Sequence, residues 1–258
     1  MKRTELIMGM PITVAIPDRE RMDGAAEGAR YLTVDDAIGG VFDSFRDVDE
    51  RFSPYKPASE TSRIDRGELA QTDASAEMRE VLALSEQTRR ETDGYFNVRA
   101  GGHFDPSGLV KGWAIARAAR LLDDDGFISF CIEAGGDIEM RGANDEGSPW
   151  AIGLRSPFEP SKLVHRLHLT NRGIATSGTY IRGAHIWNPR TGAAADEIAS
   201  MTVIGPNVYE ADRFATAAFA MGREGVNFVA AMPDFDAYMI EKTGTATFTP
   251  GFARYIES

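Results

Sequence analysis

Two short stretches place polar groups at spacings that suit phosphate chemistry. In "HFDPSGLVKGWAIARAARLL", residues 103–122, Asp105, Gly108 and Lys111 stand at the start of an apolar helical pattern. A helix start offers unpaired N–H groups and the positive end of a dipole, which suit an anion such as phosphate. An ordinary capped helix, with Ser107 or Asp105 as N-cap and Lys111 in solvent, accounts for the same residues. In "EADRFATAAFAMG", residues 210–222, Asp212 and Thr216 are four apart, so a carboxylate and a hydroxyl share one helix face. Such hard oxygens suit Mg²⁺, which takes few protein ligands and completes its shell with phosphate and water. A first-turn acid followed by a tolerated threonine is the plain alternative.

Four histidines are present. His165 shares the apolar face of Leu163, Leu167 and Leu169 and reads as a sheet histidine, while His168 points the other way, toward solvent. His103 lies in the glycine-rich approach to the first stretch and takes no assignment. His185, within "TSGTYIRGAHIWNPRTG", is surrounded by small and turn-forming residues and is the functional candidate. In "EAGGDIEMRG", Gly135 and Gly136 allow either a close backbone approach to a ligand or a tight hairpin.

Composition limits the partners. The 258 residues carry 39 acidic against 28 basic side chains, a formal charge of −11, which argues against a general nucleic-acid binder. Phosphate must therefore be met locally, by a few cations, by backbone N–H groups or by a metal. The lone cysteine, Cys131, excludes an internal disulfide and a thiolate metal cluster and reads as a core thiol. Gly9 and Pro11 interrupt the first apolar stretch, so the expectation is no signal peptide, no membrane span and a cytoplasmic location.

The elements that must position these residues follow from periodicity. Met8, Met10, Ile12, Val14 and Ile16 alternate as one strand. Ile38, Val41, Phe42, Phe45, Val48 and Phe52 form one helical face. A helix from about Ser75 to Thr92 carries Met78, Val81, Leu82 and Ser85 on a stripe, with Gly94 as its stop. The stretch after Asp105 turns Val110, Ala114, Ala118 and Leu121 inward. Strands are expected at "FISFCIE", "DIEMRG", "WAIGLR", "KLVHRLHLT" and "ASMTVIG", then at "DAYMIEK" and "TATFTPGF". Helices are expected in "YEADRFATAAFAMG" and around "EGVNFVAAM". Sequential strands with helices in separate blocks argue an α+β fold, with antiparallel or mixed sheets and packed helices in one domain over 1–258.

The order of the motifs is more specific than any one of them. A Met-Gly first strand, then "FSPYKPASETSRI", "DGYFN", "DPSGLVKGWA", "AGGDI", "IATSGTY", "HIWNPRTG" and "ADRFATAAFAMG", resembles the FAD:protein FMN transferase (ApbE) family. The likeness spans roughly residues 7–222. It implies an ApbE-like, T-fold-related domain that uses Mg²⁺ or Mn²⁺ to move FMN from FAD to a Thr or Ser of a partner flavoprotein, releasing AMP. By the same resemblance, Met8, Tyr55, Tyr95, Phe96, Asn97, Asp105, Lys111, Ile186 and Trp187 contact FAD. The Gly108 carbonyl joins Asp212 and Thr216 on the metal, and His185 lies beside the reacting centre as candidate base.

The chain departs from the family pattern in three ways. "VRAGGHF" replaces a segment of several dozen residues between the "GYFN"-like and "DPSG" motifs. Asn97 and Asn188 stand where Asp is commoner, and Glu133 replaces a neutral residue. "DGAAEGAR", residues 23–30, loosely resembles an acceptor motif, but Glu27 and Arg30 occupy its hydroxyl positions, so self-modification there is not expected. Two further readings accompany the transferase: a FAD pyrophosphatase giving FMN and AMP, and a non-catalytic FAD-binding protein.

Overall fold

The computed structural model describes residues 1–18, 33–159, 161–178 and 186–257. Its backbone is an eight-stranded sheet in which every neighbouring pair runs antiparallel. In chain order the strands are β1 (Lys2–Ile7), β2 (Met10–Ala15), β3 (Phe130–Ala134), β4 (Asp137–Arg141), β7 (Gly173–Gly178), β10 (Ile198–Gly205), β11 (Asp236–Glu241) and β12 (Ala246–Phe248), which is also their spatial order. β5 (Trp150–Arg155) and β6 (Leu163–Leu169) form a separate hairpin, and β8 (Trp187–Asn188) pairs with β9 (Ala193–Ala194).

Helices cover one face of the sheet: α1 (Val34–Phe52), α2 (Glu60–Asp65), α3 (Ala76–Glu91), α4 (Ser107–Asp124), α5 (Val208–Ala220) and α6 (Gly225–Ala230). Side chains alternate across a pleated strand, and the core divides accordingly. Met201, Val203, Ala237 and Met239 pack with Ala211, Ala215 and Phe219 of α5. Ile138, Ile174, Ile204, Tyr238 and Ile240 face away and pack with Leu154, Leu167 and Leu169 of the β5–β6 hairpin and with Phe252 of the C-terminal 3₁₀ turn, Pro250–Tyr255. The result is three layers: helices, sheet, hairpin.

The six apolar positions expected on the first long helix are all buried in α1. α3 starts after Ser75, whose hydroxyl accepts from the Met78 N–H, and stops ahead of Gly94 at φ +82°. Three expectations change. The strand read through Met8 is a hairpin, because Met8 (φ 56°) and Gly9 (φ 70°) turn the chain between β1 and β2. β7, unread in "IATSGTY", is a central strand. Leu121 is half-buried and Leu122 takes the inward place on α4. The β3–β4 connection settles the two-glycine question in favour of the hairpin: Gly135 and Gly136 both have positive φ, as a two-residue turn of this kind requires.

Candidate metal and phosphate site

The start of α4 is built by its own short-range bonds. The Asp105 carboxylate accepts from the Ser107 N–H at 2.9 Å, with Pro106 as the cap residue. Upstream, the Asp65 carboxylate at the end of α2 accepts from the Phe104 N–H at 2.6 Å and lies 3.2 Å from His103 Nδ1. The Phe104 N–H, and secondarily His103, hold the Asp65 carboxyl below its ordinary range.

α4 and α5 then cross closely. The Gly112 N–H donates to Asp212 Oδ2 at 2.7 Å, and the Thr216 hydroxyl donates to the Gly108 carbonyl at 3.2 Å. Residues 108 and 112 are one turn apart on α4, and 212 and 216 one turn apart on α5, so the contacts repeat with the helical period. Gly112 makes this approach possible: a β-carbon there would lie 2.6 Å from Asp212 Cβ and 2.9 Å from the Val208 carbonyl. The Gly112 N–H is also the donor that a regular α-helix assigns to the Gly108 carbonyl, so Asp212 competes for it.

A third element reaches the same corner. Ser177 at the end of β7 places its hydroxyl 3.4 Å from Thr216 Oγ1. Gly108, Thr216 and Ser177 thus present three hard oxygens from three distant parts of the chain, with the buried Asp212 one turn away. Oxygens 3.2 Å apart fit the edge of an octahedron around Mg²⁺, whose cis ligands at ~2.1 Å lie about 3 Å from each other. The donor set therefore suits a hard cation. Among the described residues no group of three or more His, Cys, Asp or Glu side chains is arranged to hold a metal ion.

Lys111 is not in solvent. Its ammonium stands 2.6 Å from Asp137 Oδ2 on β4, with Lys111 side-chain exposure of 16% and Asp137 of 1%. This corrects the plain capped-helix reading. Asp137 carried no assignment from the sequence, where it marked only the start of a strand; a buried partner across 26 residues leaves no local pattern to read.

Of the remaining positions, Phe96 lies against the corner. Phe96 is buried, and its ring edge lies 3.5 Å from where a Gly108 β-carbon would stand. Arg190 stacks over Tyr95 at 4.8 Å and pairs with Asp93, tying the turn before Phe96 to the β8–β9 turn. Trp187 lies over the short loop at Gly101, its Nε1 2.9 Å from a β-carbon built there. Asn97 and Asn188 serve their own turns, accepting from the Arg99 N–H and from the Arg190 and Thr191 N–H groups. Ile186 is half-buried against the α5 side of the core. Met8 is half-buried at its hairpin tip, and Tyr55 is 90% exposed. His185 lies outside the described residues. His165 is satisfied by Tyr238, Nε2 to the hydroxyl at 3.2 Å, and His168 lies 3.4 Å from Glu257. Cys131 is half-buried against the hairpin-side core, not within it, and desolvation pushes its thiol up to about 12.

A model of the ApbE family matches residues 8–105 and 99–239. The FAD:protein FMN transferase of Escherichia coli K12 is 30% identical over 169 residues, which cover 60% of this chain and 48% of that protein. Its counterpart in Haemophilus influenzae is 24% identical over 269 residues, covering 79% of this chain and 78% of that one. The match thus spans about half the length of the first relative. Among solved structures, the flavin transferase ApbE of Vibrio cholerae superposes with a TM-score of 0.83 at 20% identity, over 99% of this chain and 98% of that chain. The ApbE protein of Thermotoga maritima superposes with a TM-score of 0.83 at 18% identity, over 100% and 99%. These structural likenesses concern the fold. With the family model matched across most of its length, this chain belongs to the ApbE family.

Proposed function

We propose that this protein transfers FMN from FAD to a Thr or Ser hydroxyl of a partner flavoprotein, with Mg²⁺ (or Mn²⁺) bound at the Gly108–Asp212–Thr216 corner. The observation that carries the reading is the convergence of the Gly108 carbonyl, the Thr216 and Ser177 hydroxyls and the Lys111 ammonium at the crossing of α4, α5 and the β4–β7 edge. Support also comes from the names of the matched relatives, FAD:protein FMN transferases.

Phosphoryl transfer is limited by positioning and by charge on the non-bridging oxygens. A divalent cation at this corner would supply the neutralising charge. Lys111 adds a fixed positive group beside it in a chain of net charge −11. Tyr95 and Trp187 offer apolar surface for the flavin half of the ligand. The acceptor oxygen forms a bond to the FMN-side phosphorus, the bond from that phosphorus to the AMP oxygen breaks, and AMP leaves. The hydroxyl proton passes to a base, and His185 is our nominee.

Incubation of candidate flavoprotein domains with the protein, FAD and Mg²⁺, followed by intact-mass spectrometry, tests the reading. A gain of one FMN phosphoester on the acceptor supports it. AMP and free FMN at the same rate with and without acceptor would assign hydrolysis instead. FAD binding with no AMP formed would assign storage.

A further inference from the structure

Strand β4 turns Ile138 and Met140 toward the hairpin layer and Asp137 and Glu139 toward the helices. Both carboxylates are buried, at 1% and 0% exposure, on a face where apolar side chains would pack equally well. Each grips one of the two helices that form the oxygen corner. Glu139 Oε2 accepts from the N–H of Val208, the first residue of α5, at 2.5 Å, while Arg141 pairs with Oε1. Asp137 Oδ2 holds the Lys111 ammonium of α4.

Asp137 also bridges a break in the sheet. β4 and β7 pair only at Ile138–Ile174 and Glu139–Gly173. Continued register would set Thr176 opposite Gly136, but the Thr176 N–H donates to Asp137 Oδ1 at 3.1 Å instead. The side chain therefore takes the place of a strand partner where the two strands part. The next residue, Ser177, carries the hydroxyl that reaches Thr216. One carboxylate thus spans the gap, with the site's cation on one oxygen and the strand carrying Ser177 on the other.

We propose that Asp137 is a positioning residue for the diphosphate: it fixes the Lys111 ammonium at the mouth of the β4–β7 gap, so that the cation meets a dinucleotide's phosphates already oriented. This inference rests on the FAD reading above. Asp137→Asn separates its two tasks, because an amide oxygen still accepts from Thr176 while the charge that holds Lys111 is gone. In that variant kcat for Mg²⁺-dependent AMP release from FAD falls about 10–100-fold, the scale of a small misplacement of a reacting group. KM for FAD changes by less than about threefold, since what is lost is orientation.

In a Lys111→Met background the same substitution changes kcat by less than about twofold, because the group through which Asp137 acts is absent. That double variant buries no unmatched charge, whereas each single variant leaves one partner of the pair alone, so a denaturant melt of each confirms folding before rates are compared. Equal losses in both backgrounds, or no loss in either, overturn the proposal. A second readout needs no turnover: acylation of Lys111 by an amine-reactive ester, followed by peptide mass spectrometry. Release from the buried carboxylate raises Lys111 labelling several-fold in Asp137→Asn, and unchanged labelling overturns the proposal. If the native protein releases no AMP from FAD with or without acceptor domains, the FAD reading fails, and the labelling result alone decides the role of Asp137.

Discussion

Two side chains of α5 each satisfy a backbone group of α4, and removing either has a separable consequence. Asp212→Ala removes the carboxylate that takes the buried Gly112 N–H, which costs at most about 1–3 kcal/mol and less where the Gly108 carbonyl recovers that donor. It also removes the only charged oxygen in the proposed metal set. We expect a folded protein with transfer abolished, measured as AMP release beside a denaturant melt; full activity would contradict the metal assignment. The loop before α4 offers a test by pH. The Asp65 carboxyl is held low by the Phe104 N–H, so its contribution is present at neutral pH and is lost as pH falls through the lowered value, below the ordinary ~4. The Phe104 amide resonance should therefore titrate with a midpoint below about 4 and stop titrating in Asp65→Asn. A midpoint above that value would contradict the assignment. At this scale the sequence marked Asp212, Thr216, Gly108 and Lys111 by residue type and spacing. Asp137 and Ser177 escaped it, because their partners lie on strands brought beside the helices by the fold.

The α4–α5 crossing depends on the absence of one β-carbon. Gly112→Ala would drive a methyl group to 2.6 Å from Asp212 Cβ, and overpacking of this kind costs about 1–3 kcal/mol. Separation of the helices should also widen the Gly108–Thr216 contact. The prediction is a lower melting temperature together with a higher Mg²⁺ concentration for half-maximal AMP release. A variant that loses stability with an unchanged Mg²⁺ requirement would show that the crossing does not set the site. The long helices were legible because apolar residues recur on one face, as in α1 from Ile38 to Phe52. β7 was not, because "GIATSG" is short and rich in small and polar residues. Its inward Ala175 and Ser177 meet α5 closely and need little bulk, so the usual β-branched signature is weak. The Met8–Gly9 turn was masked by an apolar alternation that runs unbroken through it.

At the scale of the molecule, the three layers bring α4, α5 and the end of β7 to one corner, while the whole chain carries a net charge of −11. On the proposed function, an anionic dinucleotide would be repelled at long range and attracted only close to Lys111 and the proposed metal corner. Raising ionic strength from about 10 to 150 mM shortens the screening length from ~30 to ~8 Å and weakens the long-range part first. KM for FAD, at constant free Mg²⁺, is accordingly expected to fall over that range; a rise would place the dominant electrostatics in the site itself. The α+β class was readable from sequential strand and helix blocks, and the family from motif order. The three-layer arrangement was not, since nothing local distinguishes a hairpin that joins the main sheet from β5–β6, which covers it. The most direct test of the central claim is the rate of AMP release from FAD, with an acceptor domain present, for the native protein and for Asp212→Ala and Thr216→Ala across a Mg²⁺ titration. The account predicts saturable Mg²⁺ dependence in the native protein, loss of turnover in Asp212→Ala and a raised Mg²⁺ requirement in Thr216→Ala. AMP release that proceeds in a metal chelator, or three indistinguishable Mg²⁺ curves, would contradict it.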